Sequence, residues 1–195
     1  MSNEPARQAS VPVDDAGTMG EMKRPHVNTY WLIPGLLLAG EHPAATSGRG
    51  SREILEAFLD CGIVEFVDLT QPSELEDYHA VLGGLAAARG LDARYRRFPI
   101  VDMAVPETRR RMRAILDHLD AATLAGRPAY VHCWGGIGRT GTVLGCLLVR
   151  HGLSGEEALA ELAGCWPAME KSWYFPHTPQ TRAQFDYVRH WPART

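Results

Sequence analysis

The residues best suited to chemistry lie in one short run, which begins with His132 and Cys133 and ends with Arg139 and Thr140. Of the five residues between the cysteine and the arginine, three are glycines, which permit the positive φ angles and close backbone approach of a tight loop. A loop of this length can turn its backbone N–H groups inward and form an anion-binding cup. The run therefore predicts a phosphate-binding loop that carries its own thiol nucleophile.

The residues that follow the loop predict the support it needs. Residues 140–150 are apolar nearly all round, which indicates a helix that passes through the core. The N–H groups and dipole at its N-terminus would stabilise both a bound anion and the Cys133 thiolate. Arg139 offers a planar fork that can bind two phosphoryl oxygens. The alternative is a buried structural cysteine beside a glycine-rich turn, but the spaced arginine and threonine favour catalysis.

The order His-Cys-x5-Arg-Thr resembles the signature of the cysteine-dependent phosphatases, in particular the dual-specificity and bacterial tyrosine phosphatase branch. The resemblance implies a phosphomonoester hydrolase that works through a cysteinyl-phosphate intermediate, with Cys133 as nucleophile. It also implies that His132 orders the loop by hydrogen bonding and that Thr140 donates a hydrogen bond to the sulfur. The phosphate-binding loop would consist of Trp134, Gly135, Gly136, Ile137, Gly138 and Arg139.

The general acid of this family is an aspartate on a loop that precedes the cysteine. Residues 98–106 resemble that loop in the dual-specificity branch, where Pro-x-x-Asp closes a strand and a later proline opens a helix. Asp102 is therefore predicted to protonate the leaving oxygen and then to activate water. Alternatively, Asp102 caps a helix that starts near Pro106, with Glu107 in its first turn.

The C-terminal region supplies a supporting candidate. Pro-x-Thr-x-x-Gln at 179–184 resembles the start of the closing helix in bacterial members, and in some branches a glutamine here orients the hydrolytic water. Gln184 is the first candidate and Gln180 the second; the alternative is a solvated helix start with Val188 and Trp191 packed inward. A nearby set of aromatic residues either lines the substrate cleft or, more commonly for such sets, forms a packing cluster: Trp166, Trp173, Tyr174 and Phe175.

Strand-like and helix-like segments alternate along the chain. Apolar strand patterns lie at 63–70 and 129–132, and a more polar strand, expected nearer the edge of the sheet, lies at 94–98. Helical patterns at 78–89 and after Pro106 separate these strands, and a hairpin-like unit spans 34–40. This alternation predicts an α/β fold with a mainly parallel central sheet and helices on both sides, as in the tyrosine phosphatase fold of the dual-specificity type. The nucleophile would lie at the carboxyl end of a strand.

Length and composition limit the domain organisation, the partners and the cofactors that we expect. In 195 residues we expect a disordered arm over 1–26 and a single phosphatase catalytic domain over 27–195. The net charge of −3 argues against nucleic-acid or membrane-surface binding driven by electrostatics. No apolar stretch could span a bilayer, and the four cysteines lack metal-ligand spacing, so we expect a cytoplasmic enzyme without a metal or other cofactor.

The residues of the phosphate-binding loop narrow the class of substrate. Residues 134–138 include no lysine or arginine, which disfavours polyphosphorylated inositols and lipids. The predicted partner is therefore a phosphorylated protein, bearing phosphotyrosine and, in a dual-specificity enzyme, phosphoserine or phosphothreonine. A non-protein phosphomonoester (inositol phosphate, lipid or nucleotide) and a non-catalytic phosphate-binding module are the alternatives. A sulfurtransferase or arsenate reductase fits less well, because the loop ends in Arg-Thr and no second cysteine flanks Cys133.

Overall fold

A five-stranded sheet lies at the centre of the described part of the chain. A computed structural model describes residues 23–44 and 51–193. The strands are β1 (Thr29–Ile33), β2 (Leu37–Gly40), β3 (Glu65–Asp68), β4 (Arg94–Arg97) and β5 (Ala129–His132). Their order across the sheet is β1-β2-β5-β3-β4, and only the β1–β2 pair is antiparallel. The mainly parallel sheet expected from the alternating pattern is confirmed.

Helices cover both faces of this sheet. They are α1 (Ser51–Asp60), α2 (His79–Ala88), α3 (Arg109–Leu124), α4 (Gly138–Arg150), α5 (Gly155–Cys165) and α6 (Arg182–Arg189), with short 3-10 turns at Trp166–Ala168 and Glu170–Trp173. Side chains alternate along each strand, so Phe66 and Tyr130 pack with α1 and α2 while Val67 and Val131 pack with α3 and α4. Two apolar layers result, which explains why the central strands are apolar on both faces.

The strand register brings four loops to one edge of the sheet. Gly40 and Asp68 both pair with His132, and Arg97 pairs with Asp68. Because these strands are parallel, the segments that follow them all leave from the same, carboxyl edge. The loops that begin at residues 41, 69, 98 and 133 therefore surround one space.

Local capping decides where the helices begin. Thr108 caps α3, since its side chain accepts a hydrogen bond from Arg111 N. Asp102 is thus free of the capping role considered as an alternative, and Glu107 precedes α3 instead of lying in its first turn. Ser154 and Glu157 form a capping box at the start of α5.

The N-terminal arm expected over residues 1–26 falls largely outside the described residues, which begin at 23. Its last residues contact the domain: Arg24 Nη1 lies 2.6 Å from Thr29 O and 2.5 Å from Ala168 O. No helix in the described part of the chain is long and apolar enough to cross a membrane.

Candidate active site

Cys133 lies at the carboxyl end of β5, where it faces a cleft of about 340 Å³. The thiol is almost fully buried at the base of this cleft. The cleft is lined by Glu41, Asp102, Met103, Cys133, Trp134, Gly135, Ile137, Gly138, Lys171, Phe175 and Gln180. The nucleophile predicted from the sequence and the predicted general acid thus share one cleft.

The carbonyl groups of the loop after Cys133 accept hydrogen bonds from residues outside the loop. The bonds join His42 N to Trp134 O (2.8 Å), Lys171 Nζ to Gly135 O (2.9 Å) and Thr178 Oγ1 to Ile137 O (2.8 Å). By contrast, none of the N–H groups of residues 134–139 donates a hydrogen bond to another described residue. Carbonyls that are tied outward leave these N–H groups available to an anion beside the sulfur, as in an anion-binding nest.

One glycine is required by the shape of this loop. Gly136 has a φ of 73°, in the left-handed region that side chains rarely adopt. A Cβ added at Gly136 would also overlap the carbonyl group of Gly40, which ends β2. The loop is therefore fitted directly against the neighbouring strand.

Arg139 is buried, and its guanidinium is fixed by contacts on several sides. Nη1 and Nη2 lie 2.8 Å and 2.6 Å from the two Glu74 carboxylate oxygens, and Nη1 also donates to Ile100 O at 3.1 Å. Burial alone would raise the pKa of Glu74, but the hydrogen bonds from Arg139 outweigh it and lower that pKa below its usual range. Arg139 Nε, although buried, has no partner among the described residues. One N–H of the fork therefore stays available for a phosphoryl oxygen.

Thr140 follows in the first turn of α4. Its Oγ1 is buried and likewise has no hydrogen-bond partner among the described residues. The hydrogen bond to the cysteine sulfur implied by the family resemblance is thus not formed in this arrangement.

Asp102 lies on the loop between β4 and α3. Its side chain is 54% exposed, and Oδ1 is 2.9 Å from Arg139 Nη2. The next residue, Met103, has a φ of 59°, an uncommon conformation for a residue with a side chain. A turn closed by the 3.1 Å bond from Ala104 N to Val101 O gives the loop its shape. The Asp102 side chain thereby lines the cleft and reaches Arg139.

Gln184, the first candidate for orienting water, is fully buried and is not among the cleft-lining residues. Its Oε1 accepts hydrogen bonds from Gln180 N and Thr181 N, and its Nε2 donates to Ala104 O at 3.0 Å. The amide therefore caps α6 and fastens the loop of Asp102. Gln180 is the glutamine that lines the cleft.

His132 lies in a buried polar network behind the nucleophile. Its Nδ1 is 3.2 Å from Cys133 O, and its Nε2 is 2.6 Å from the hydroxyl of Tyr78. Burial is the main cause that lowers the pKa of His132. A neutral ring bonded on both sides can hold the start of the loop, which is the ordering contact that the family resemblance implies.

Three charged groups of the site were not found by sequence reasoning: Glu41, Glu74 and Lys171. Glu74 follows β3. Only the knowledge that β3 lies beside β5 in the sheet could have identified Glu74 as a partner of Arg139. Lys171 lies in a 3-10 turn far along the chain, and its Nζ pairs with the carboxylate of Glu41. The cleft thus contains a lysine that the residues of the loop did not reveal, and a carboxylate neutralises it.

The aromatic set divides between core and surface. Trp166 is buried and packs edge-on against Tyr30. Phe175 and Trp134 both line the cleft, and Trp134, the residue after the nucleophile, is 51% exposed. Trp173 and Tyr174 are 89% and 85% exposed. Both interpretations offered by the sequence therefore apply, each to part of the set.

Comparison with solved structures places this architecture among known phosphatases. A kinase associated phosphatase (KAP) with its catalytic site cysteine substituted by serine aligns at a TM-score of 0.64 and 22% identity, over 86% of this chain and 94% of that one. PTPMT1 in complex with PI(5)P aligns at 0.61 and 16%, over 84% and 94%. P. aeruginosa TpbA in complex with pTyr aligns at 0.54 and 20%, over 88% and 96%. At these identities the similarity concerns the fold.

A family model supplies the closer assignment. The model of the PTP-SAK proteins, described as "Swiss Army Knife protein, DSP-PTPase phosphatase domain", matches residues 26–190. This range includes every strand and helix of the domain from β1 to α6. The chain therefore belongs to the PTP-SAK family and is a cysteine-dependent phosphatase of the DSP-PTPase type.

Proposed function

We propose that this phosphatase removes phosphate from phosphotyrosine in proteins, with Cys133 as nucleophile, Arg139 as phosphate clamp and Asp102 as general acid. The observation that carries the proposal is the position of the Cys133 thiol. It lies at the base of a cleft, beside N–H groups that no described residue uses and below two aromatic side chains of the rim. Such a cleft suits a single phosphate carried on an aromatic ring.

In the first step the Cys133 thiolate attacks phosphorus and the bond from phosphorus to the leaving oxygen breaks. The N–H groups of residues 134–139 and the Arg139 fork would stabilise the charge on the remaining phosphoryl oxygens. A phosphate bound by Arg139 takes over the Nη2 donor that otherwise bonds Asp102. The acid is thereby released next to the leaving oxygen and can give it a proton.

In the second step water attacks the phosphocysteine, and the sulfur–phosphorus bond breaks to return the thiolate and inorganic phosphate. Asp102, now ionised, takes the proton from water. We assign the orientation of this water to Gln180, because Gln180 lines the cleft while the Gln184 amide is bonded to backbone groups.

The charges at the cleft support a substrate with one phosphate. Lys171 is the only basic side chain among the described cleft-lining residues, and Glu41 neutralises it. A polyphosphorylated head group would need uncompensated cations. Trp134 and Phe175 instead offer apolar surface to a tyrosine ring.

A lipid phosphomonoester is the second candidate, and a specific observation favours it. Trp173 and Tyr174 project from the turn next to Phe175 and are the most exposed aromatic side chains near the cleft. Tryptophan and tyrosine are enriched at membrane–water interfaces, where their amphipathic rings lie at the level of the headgroups. The fold itself accepts both kinds of ligand, since pTyr is bound in the TpbA complex and PI(5)P in the PTPMT1 complex.

The mechanism predicts that Cys133→Ser abolishes hydrolysis of a small aryl phosphate, measured with a chelator present. The same variant should still bind vanadate or phosphate, because the N–H groups and Arg139 remain. Cys61→Ser is the matched control, since Cys61 lies outside the cleft and should be dispensable for turnover. Turnover by Cys133→Ser at the parent rate would disprove the mechanism.

A substrate panel then separates the two candidates. A phosphotyrosyl peptide and a phosphatidylinositol monophosphate in vesicles are compared by kcat/KM with the wild-type enzyme. We expect the peptide to be preferred. A preference for the vesicle substrate that Trp173→Ala removes would favour the lipid instead.

A further inference from the structure

A second concave surface, larger than the catalytic cleft, lies elsewhere on the described residues. It is a groove of about 600 Å³ along the outer edge of β4, and we call it the β4 groove. It is lined by Glu65, His79, Ala93, Arg94, Tyr95, Arg96, His118, Ala121, Ala122, Ala125 and Arg127. Neither Cys133 nor Asp102 is part of it, so the mechanism gives it no role.

Cations dominate the β4 groove. Arg94 is 60% exposed and pairs with Asp92, which lies just outside the lining and also pairs with Arg127. Arg127 and His118 further contact the buried carboxylate of Glu65. Three arginines thus face two carboxylates, and the groove has an excess of positive charge.

Arg96 carries this excess. It is exposed, and no carboxylate of the described residues lies within ion-pair distance of it. Its guanidinium lies 5.2 Å from the centre of the Phe98 ring, which limits its freedom without neutralising its charge. Arg96 is consequently available to an anionic ligand.

The groove also borders an unpaired strand edge. β4 pairs only with β3, through bonds such as Arg94 N to Val64 O and Phe98 N to Asp68 O, both 2.8 Å. Because backbone groups alternate along a strand, the N–H and C=O groups of Tyr95 and Arg97 point to the outer side. No strand in the described ranges pairs with that side.

The side chains around this edge leave room for a second chain. Tyr95 packs toward the α1 and α2 face, so Arg94 and Arg96 project on the face of α3. There the C-terminal end of α3 and the residue that follows it present small side chains to the groove, at Ala121, Ala122 and Ala125. Small residues at this point allow close approach of a backbone.

We propose that the β4 groove docks an acidic, extended segment of the phosphoprotein substrate, which adds as a strand beside β4 with carboxylates facing Arg94 and Arg96. The proposal rests on the proposed function, since it assigns the groove to a protein substrate. Arg94 and Arg96 lie two residues apart on one strand, so acidic residues at alternate positions of the added strand match them. Backbone groups of Tyr95 and Arg97 would supply the sequence-independent part of the affinity.

The groove is close enough to the cleft to act on the same molecule. Arg96 and Asp102 are six positions apart, which limits the distance between their Cα atoms to about 20 Å even for a fully extended chain. A substrate with its acidic segment about six to ten residues from the phosphotyrosine could occupy both sites. Docking would then raise the effective concentration of the phosphotyrosine at Cys133.

The test compares phosphotyrosyl peptides that differ only in a distal segment. The segment contains two glutamates at alternate positions, two adjacent glutamates, or glutamines. We expect the alternate-glutamate peptide to have a KM about three- to tenfold lower than the glutamine peptide, with kcat unchanged and the difference lost at high salt. The variant Arg94→Ala/Arg96→Ala should remove the difference and keep its kcat/KM for a small aryl phosphate, which also shows that it is folded.

Arg52→Ala is the matched control, because Arg52 is an exposed arginine on α1 and lies outside the groove. It should leave the KM difference intact. Equal KM values for the acidic and glutamine peptides would overturn docking while the proposed function stands. Equal benefit from adjacent and alternate glutamates would overturn the strand-addition geometry.

Direct binding separates the two proposals. Fluorescence anisotropy of an unphosphorylated acidic peptide measures docking without turnover, and the double arginine variant should weaken it by a similar factor. If phosphopeptides are not hydrolysed while the aryl phosphate is, phosphotyrosine in proteins fails as the substrate, and docking of a protein substrate is overturned with it. If they are hydrolysed but the acidic peptide does not bind, docking alone is overturned.

Discussion

At the scale of single residues, the arginine of the loop is more constrained than its sequence motif suggests. Arg139 is a buried cation, and a buried cation is tolerated only where its charge and its N–H groups are satisfied. Glu74 provides both through two parallel bonds, which also fix the plane of the fork. The transition state would thus meet donors that need not reorganise.

We predict that Glu74→Gln lowers kcat/KM for an aryl phosphate by about tenfold or more, because an amide keeps the shape but cannot accept both bonds. Leaving the cation partly uncompensated should also cost about 2 kcal/mol of the free energy of unfolding. Steady-state kinetics, vanadate affinity and urea unfolding check this result.

Glu76→Gln provides the control for this substitution. Glu76 is exposed on the same loop, so the change should affect neither quantity. Unchanged kinetics for Glu74→Gln would show that Arg139 is oriented by its other contacts alone.

At the scale of elements, the N-terminus of α6 connects the parts of the active site. Thr181 and Gln184 form its capping box, and the Gln184 amide packs directly on Gly138 at the start of α4. The same amide donates to Ala104 O, two residues after Asp102. One side chain thereby links the closing helix, the phosphate-binding loop and the loop of the proposed acid.

We predict that Gln184→Ala reduces kcat about tenfold for phosphate esters with poor leaving groups and much less for a nitrophenyl ester. The reason is that a loosened Asp102 matters only where the leaving oxygen needs a proton. Asp102→Ala should give the same dependence on the leaving group with larger amplitude. A plot of log kcat against leaving-group pKa measures it.

Glu157→Ala removes the equivalent residue from the capping box of α5, which does not touch the site. Both variants should lose about 1 kcal/mol of stability from the lost cap. A leaving-group dependence in Glu157→Ala as well would mean that the effect in Gln184→Ala is one of general stability.

The elements themselves could be predicted from local sequence. Apolar runs identified the central strands, and the loop of Cys133 followed from its spacing. Capping was ambiguous, because Asp102 and Thr108 are both residues that cap helices well. Only the local backbone decides between them.

The rest of the site depends on contacts between distant parts of the chain. Glu74 meets Arg139 because β3 lies beside β5, and Lys171 meets Gly135 because a turn after α5 folds over the loop. No spacing in the sequence encodes these pairs. The amide of Gln184 likewise bonds to backbone groups, which every residue has, so its target could not be predicted.

At the scale of the whole molecule, a buried polar network lies behind the carboxyl edge of the sheet. Asp68 accepts hydrogen bonds from Thr70, from the Tyr95 hydroxyl at 2.6 Å and from Arg97 Nε at 3.0 Å. Burial by itself would raise the pKa of Asp68. The His132 ring and these hydrogen bonds outweigh burial and lower that pKa to about 2. The network joins β3, β4 and β5 where the loops of the site depart.

We predict that Asp68→Asn lowers the free energy of unfolding at pH 7 by about 3 kcal/mol, because a buried carboxylate that accepts several bonds is lost. The folded pKa lies below the unfolded value of about 4, so the carboxylate contributes above pH 4 and its contribution disappears as the pH falls toward 2. The difference between wild type and variant should therefore shrink over that interval. Urea unfolding at several pH values measures it.

Both proteins should lose stability as the pH falls below about 6.5, since burial lowers the pKa of His42 to about 4 and the unfolded chain binds that proton first. The difference between the proteins reports on Asp68, including its effect on His42 and His132, whose pKa values Asp68 raises. Asp117→Asn, at an exposed carboxylate on α3, should show a difference near zero at every pH.

The fit of Gly136 against Gly40 has a consequence for how the protein matures. The two glycines are 96 positions apart, so the loop of Cys133 takes its final shape only when an early hairpin and a late strand have met. Contacts between such distant segments form slowly, because a long stretch of chain must first be closed. We therefore expect the ability to bind phosphate to be acquired late in folding, after the helices and most of the sheet. Catalytic turnover would then be absent from any partly folded form, however much secondary structure that form contains.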